Sequence, residues 1–172
     1  MDHSTRKLLL SASLGALPPC FVLIFILQQN LQRALPTPCN RVLDADVWLA
    51  SSTIRPHLEC MGVVGRQMYL EFYAFDLILF PLIYCTCLTI LLSSFFPKSR
   101  LLPTLPVVAA TADVIENCSM CFLLTQFPTR YVALETLIST LTHTKCTLFL
   151  LSVALVTVAL IRRLPLRSIK QD

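Results

Sequence analysis

Four apolar stretches, each long enough to cross a lipid bilayer, dominate this chain. They cover residues 8–27 (LLLSASLGALPPCFVLIFIL), 69–96, 103–127 and 137–161. A membrane helix needs about 20 apolar residues to cover roughly 30 Å of hydrocarbon. Four spans and their connections therefore use up the 172 residues. Of these, 55% are hydrophobic and only 14% charged, against about 25% charged in a soluble domain. That balance excludes a disordered, collagen-like or coiled-coil chain, and a nucleic-acid-binding module with its concentrated basic face. The expected fold is all-α: a single integral membrane domain, a four-helix transmembrane bundle, with a short helical outer cap between the first and second spans.

Punctuation along the chain supports those limits. Arg6 and Lys7 precede the first span in the manner of a signal peptide, but its apolar run exceeds the roughly 7–15 residues of a signal core, so it reads as an uncleaved helix. Pro18 and Pro19 should kink it. Pro81 lies near the middle of the second span, which Pro97, Lys98 and Arg100 end; Pro128 closes the third, and Arg162 and Arg163 stop the fourth. On one side of the membrane fall Arg6, Lys7, Lys98, Arg100, Arg162, Arg163, Arg167 and Lys170. On the other fall Arg33, Arg41, Arg55, Arg66 and Arg130, interspersed with Asp44, Asp46 and Glu59. Basic residues favour the inner side, so both termini are expected to face the cytoplasm or its organellar (matrix-type) equivalent.

The connection 28–68 is long for a loop without structure of its own. Asp46-Val47-Trp48-Leu49-Ala50-Ser51-Ser52 reads as a short amphipathic helix, with Asp44 or Asp46 as its N-cap. Trp48, the only tryptophan, is expected on that helix at the headgroup level. Gly62 and Gly65 permit a turn into the second span. Cys39 and Cys60 lie in this connection, whereas Cys20, Cys85, Cys87, Cys118, Cys121 and Cys146 fall in apolar segments. The Asn117-Cys118-Ser119 sequon lies mid-span, beyond the reach of a glycosyltransferase.

The informative residues are the polar ones a bilayer should exclude. A charge at a helix centre costs about 2.5–3.5 kcal/mol on insertion scales, so such groups normally face a protein interior or a watery cavity. The second span carries Asp76, with Glu71 nearer its end; the third carries Asp113, Glu116 and Asn117; the fourth carries Thr142, His143, Thr144 and Lys145. At 1.5 Å per residue, Asp76 lies about 9 Å below the outer end of its span, Glu116 and Asn117 about 13 Å, Asp113 about 18 Å and Lys145 about 12 Å. Asp113, Glu116 and Asn117 share a helix face. Asp76, Asp113, Glu116, Asn117, His143 and Lys145 are thus expected to converge as an intramembrane polar cluster or ligand site. Three carboxyls face one lysine, so either carboxyls stay protonated or a cation, water, His143 or a partner's basic group enters.

Two readings of that cluster weigh about equally: a clamp between the third and fourth spans, or a ligand, proton or substrate site. A metal site has suitable ligand types in His143 and the carboxylates but no paired spacing. Tyr73 and Tyr84 are placed to donate to Asp76. Cys118-Ser119-Met120-Cys121 is a CxxC that, with Cys39 and Cys60, matches the thiol-relay layout of disulfide-generating membrane enzymes and vitamin K epoxide reductases. No further residues match those enzymes, and packing as small hydrophobes is the stronger reading for these thiols.

Met61-Gly62, Gly65-Arg66-Gln67-Met68-Tyr69-Leu70, Phe75-Asp76-Leu77 and Phe80-Pro81-Leu82-Ile83-Tyr84 lead to Ala112-Asp113-Val114-Ile115-Glu116-Asn117 and then to Thr142 and Lys145. With its D-x-x-E-N and T-x-x-K motifs, this pattern resembles a family of small uncharacterised four-helix integral membrane proteins, over about residues 8–160. The resemblance implies the architecture and the importance of Asp76, Asp113, Glu116, Asn117 and Lys145; it implies no activity. Leu31-Gln32-Arg33-Ala34-Leu35-Pro36, and Asp76 ahead of Pro81, are more weakly similar to the emopamil-binding/sigma-2 receptor family. No residue stands for that family's isomerase histidine, so this likeness implies at most an amphiphilic ligand, cationic or not.

No nucleophile–base pair or phosphate loop is visible, and no cofactor or metal is implied. The first expectation is a non-catalytic multi-pass membrane protein, a structural or assembly subunit of a larger membrane complex, whose partners are the bilayer and other membrane proteins. The alternative is a binding protein or enzyme for a lipid or cationic amphiphile that uses the acidic pocket. A transporter ranks third, since four helices without a repeat would need to oligomerise.

Overall fold

The computed structural model describes residues 3–43 and 46–163. These residues form six α-helices and no strand: α1 (His3–Ala34), α2 (Ser51–Cys60), α3 (Gly62–Asp76), α4 (Leu79–Phe95), α5 (Leu105–Gln126) and α6 (Val132–Arg163). Short 3-10 turns at Thr37–Cys39 and Leu102–Thr104 introduce the cap and α5. Three helical stretches among the described residues are long and apolar enough to cross a membrane: Gly62–Phe95, Leu102–Gln126 and Val132–Arg162. The expected first span lies within α1, which stays helical through Pro18 and Pro19.

The expected span 69–96 is not one continuous helix. It is α3 and α4, divided at Leu77 and Ile78, where Ile78 has φ −128° and ψ −43°. The cause lies in the sequence. Pro81 has no N–H to offer the carbonyl of Leu77, and its ring presses on that carbonyl. The break therefore falls four residues before the proline rather than at it. It leaves Asp76 as the last residue of α3.

The cap also differs from expectation. Residues 46–49 form a turn, not a helix; the Asp46 Oδ1 accepts the N–H of Trp48 at 3.1 Å, and the Asp46 carbonyl accepts that of Leu49 at 3.0 Å. A carboxylate that bonds its own backbone two residues on favours a turn over a helix. The cap helix is α2, which starts five residues later; Asp44 lies outside the described residues. Arg167 and Lys170, counted for orientation, also lie outside them. Gly62 has φ +66° and does make the expected turn. Gly65 instead sits inside α3, where a Cβ would come within 2.7 Å of Leu35 Cδ2 and 2.8 Å of Met61 Cβ. Its role is close approach to the end of α1.

The helices assemble around α5 and α6, which pack along each other most extensively. Helix α4 lies against α5, α6 and α1; α3 joins α1 to α5; α2 rests on α6. Helix α1 has no such packing against α6 among the described residues. Two apolar cores result. One, on the cap side, combines Leu31, Leu49, Ile54, Tyr69, Tyr73, Met120 and Ile138. The other combines Tyr84, Leu88, Leu92, Ala109 and Val156. On α5 and α6 the polar residues lie between the two.

The cap is fastened from several directions. A disulfide joins Cys39 to Cys60, with 5.9 Å between their Cα atoms. Arg55 pairs with Glu59 at 2.8 Å and donates to the Pro128 carbonyl at 3.2 Å, while the guanidinium of Arg66 lies 4.0 Å above the Phe127 ring. Ser139 Oγ on α6 donates to the Leu49 carbonyl at 2.6 Å. Burial pushes the His57 imidazole below its ordinary pKa, against the weaker opposing pull of a hydrogen bond to the backbone of Arg41.

Two outcomes are expected. The disulfide closes a loop of 21 residues, so Cys60→Ser should cost about 3 kcal/mol of stability, read as the lower Tm of the detergent-solubilised protein. His57 binds its proton better in the unfolded chain, so its contribution is neutral well above about pH 6.5 and destabilising as pH falls through that value. The Tm of the wild-type protein should therefore drop further between about pH 7.5 and pH 5 than that of His57→Gln.

Candidate functional site

Five of the six candidate residues meet in the layer between the two cores. Lys145 on α6 places Nζ 2.9 Å from Asp113 Oδ1 and 2.9 Å from Glu116 Oε2 on α5. Thr142, one turn earlier on α6, donates to Glu116 Oε1 at 2.8 Å. Tyr84 on α4 donates to Asp113 Oδ2 at 3.2 Å. Asn117 donates through Nδ2 to Asp113 Oδ1 and to the backbone carbonyl of Asp76, both at 3.4 Å. All are buried: Glu116, Asn117 and Thr142 are 0% exposed, and Asp76, Asp113 and Lys145 between 2% and 7%.

The helix limits explain why one lysine reaches two carboxylates. Because α6 begins at Val132 rather than near residue 137, Lys145 lies thirteen residues from its outer end, as Asp113 lies thirteen from Gln126 at the end of α5. Both depths are about 20 Å at 1.5 Å per residue. Lys145 is level with Asp113, and Glu116 is one turn shallower. The side chain of Lys145 leans toward the helix N-terminus, and thus toward Glu116 as well.

The break between α3 and α4 contributes the rest of the site. Helical continuation would have satisfied the Asp76 carbonyl from residue 80; Asn117 supplies the donor instead. Polar neighbours are what allow an interrupted helix at membrane depth. The Asn117 Oδ1 is buried without a hydrogen-bond partner among the described residues.

His143 is not part of the cluster. Two residues from Lys145 it turns to another face of α6, is exposed, and lies beside Trp48, with ring centroids 6.3 Å apart. Tyr84 donates to Asp113 rather than to Asp76 as expected. Cys118 and Cys121 are not disulfide-bonded; Cys118 is exposed and Cys121 half-buried. Among the described residues, no three His, Cys, Asp or Glu side chains are grouped to hold a metal ion.

Beside the cluster lies a half-open cavity of about 330 Å3. Its polar lining is Asp76, Asp113, Lys145, Tyr84 and Gln28, of which Tyr84, Asp113 and Lys145 are in direct contact; its apolar lining is Phe21, Ile24 and Phe25 of α1, Phe80 of α4 and Phe149 of α6. Sequence reasoning passed over the contribution of α1. Its signal was present, because Phe21, Ile24, Phe25 and Gln28 repeat at helical spacing on one face. An almost wholly apolar span hides such a face.

No protein family matches the chain, and neither a curated protein nor a solved structure is detectably similar to it. The resemblances described above rest on their motif residues alone.

Lys145→Met is expected to leave two carboxyls buried without their cation, costing about 3–5 kcal/mol. Lys145→Met/Asp113→Asn/Glu116→Gln, which removes all three charges, should recover most of the lost Tm. A single variant no less stable than the triple one would show that the ion pairs do not hold α5 to α6.

Proposed function

We propose that the protein is a four-helix integral membrane protein that binds an amphiphile in the cavity between α1, α4 and α6. The carrying observation is the composition of that cavity: apolar aromatic walls ending at Asp76, Asp113, Lys145 and Tyr84. A volume of about 330 Å3 suits a small ligand or the head and upper tail of a larger one. Three buried carboxyls, Asp76, Asp113 and Glu116, accompany one lysine, so a headgroup that is cationic or rich in N–H and O–H donors completes the charge balance.

The assembly-subunit reading draws less support. Lys145 is paired with Asp113 and Glu116 of its own chain, so its charge is already met within the bundle. What favours that reading is the extent of apolar surface on the helices, which lipid covers equally well.

Two independent observations support a sidedness. Basic residues outnumber those of the opposite side around the termini and the turn holding Lys98 and Arg100, and the Cys39–Cys60 disulfide lies in the cap. Disulfides persist in oxidising compartments. In this reading the termini face the cytoplasm or a matrix-type space, and the cap faces the oxidising side.

The test is native mass spectrometry after extraction in mild detergent, with lipid analysis of the same fraction. One stoichiometric amphiphile is expected on the wild type. Phe149→Trp, which fills the cavity and leaves every charge in place, should lose it. Asp76→Asn should weaken a cationic ligand about tenfold, the equivalent of 1.4 kcal/mol. A ligand-free small species, or a large assembly whose mass ignores Phe149→Trp, would overturn the reading.

A further inference from the structure

The cap holds a second cavity, of about 390 Å3, a size that takes a small molecule. Both halves of the Cys39–Cys60 disulfide line it, together with His57 and Arg41. The halves are unequal: Cys39 is 1% exposed, whereas Cys60 is exposed. A thiol entering the cavity therefore meets the sulfur of Cys60, and the sulfur displaced is the sheltered one.

His57 stands one turn before Cys60 on α2, so both side chains lie on one helix face. The imidazole is nine-tenths buried, and its Nε2 has no hydrogen-bond partner among the described residues. The other ring nitrogen is bonded to the backbone of Arg41, two residues past Cys39. The ring thus connects the two chain segments that the disulfide joins. With Nδ1–H given to a backbone carbonyl, Nε2 keeps a lone pair that can take up a proton. Buried polar atoms are nearly always satisfied, so an unpaired one beside a disulfide calls for a reason.

We propose that the Cys39–Cys60 disulfide is an exchange site for a low-molecular-weight thiol of the glutathione class, with His57 carrying the proton. The thiol gives its proton to Nε2, and the resulting thiolate attacks Cys60 Sγ. The Sγ–Sγ bond breaks, and its electron pair leaves on Cys39. A thiolate is disfavoured in the apolar surroundings of so buried a cysteine, and His57 returns the proton there. Cys60 now carries the mixed disulfide and Cys39 a thiol. A second thiol displaces the first from Cys60, which ends as a thiol. Two small thiols are thereby oxidised to one disulfide, and the Cys39–Cys60 pair, reduced by two electrons, is the oxidant. Burial holds the imidazole below its ordinary pKa, so it is neutral and able to accept the proton at neutral pH. This chemistry is separate from the amphiphile cavity and does not depend on what binds there.

The test incubates the full protein in mild detergent with reduced glutathione at about pH 7.5, where the charge of His57 does not weigh on stability. Samples are quenched over time with an alkylating reagent and mapped by peptide mass spectrometry. Glutathione is expected on Cys60 with the alkyl group on Cys39, at a rate that rises in proportion to glutathione. His57→Gln retains a side-chain N–H for the Arg41 carbonyl but has no basic nitrogen. It should keep the wild-type Tm and slow the exchange by about tenfold or more. Should that variant be too unstable to assay, the position of the adduct and the concentration dependence in the wild type decide the matter. A disulfide that stays intact, or glutathione found equally on Cys39, would overturn the proposal. So would a rate indifferent to glutathione, which would mean that reduction waits for the cap to unfold, or a stable His57→Gln variant that reacts at the wild-type rate.

Discussion

The ion pairs of Lys145 with Asp113 and Glu116 set the terms for everything around them. In a low-dielectric interior, a lysine and two carboxylates are tolerable only with close contact and with their remaining hydrogen-bonding capacity filled. The neighbours do this. Thr142 and Tyr84 donate to the carboxylates, and Asn117 donates to Asp113. These donors come from α4, α5 and α6, so the requirements of one buried charge fix the relative depth and rotation of three helices. Apolar packing alone is permissive about sliding one helix along another; a lysine held at 2.9 Å on two oxygens is not.

The interruption between α3 and α4 belongs to the same arrangement. Pro81 breaks the backbone just after Asp76, and Asn117 donates to the Asp76 carbonyl from α5. A single amide thus serves a carboxylate on its own helix and a carbonyl on a broken neighbour. The geometry ties Asp76 to the cluster through its backbone, and Asp76 also lines the cavity. A straight helix over the same residues would have carried Asp76 onward into the ladder of backbone bonds and left Asn117 without that acceptor.

Much of this was legible in the residues, and the failures have identifiable causes. Long apolar runs located α4, α5 and α6, and the i, i+3, i+4 spacing of Asp113, Glu116 and Asn117 placed them on one face. The start of α6 was missed because residues 132–136 are less apolar than the membrane run they precede, yet they pack on the cap. His143 was grouped with Lys145 by proximity in sequence, whereas two residues on a helix point to nearly opposite sides. The position of the helix break was missed because proline acts on the carbonyl four residues before it. The pairing of Cys39 with Cys60 could not be read at all, since spacing alone does not fix connectivity.

One property of the fold reaches beyond the chain itself. Helix α1 is held by α4 and α3 and, among the described residues, is not packed extensively along α6, so the ring of helices is loosest on the side of the half-open cavity. In water such a slot would collapse or fill with solvent. If the proposed bilayer setting holds, the filler is a hydrophobic molecule of the surroundings, and the last packing layer of that slot is then borrowed: a change of lipid would act on Phe21, Phe80 and Phe149 as a core substitution does.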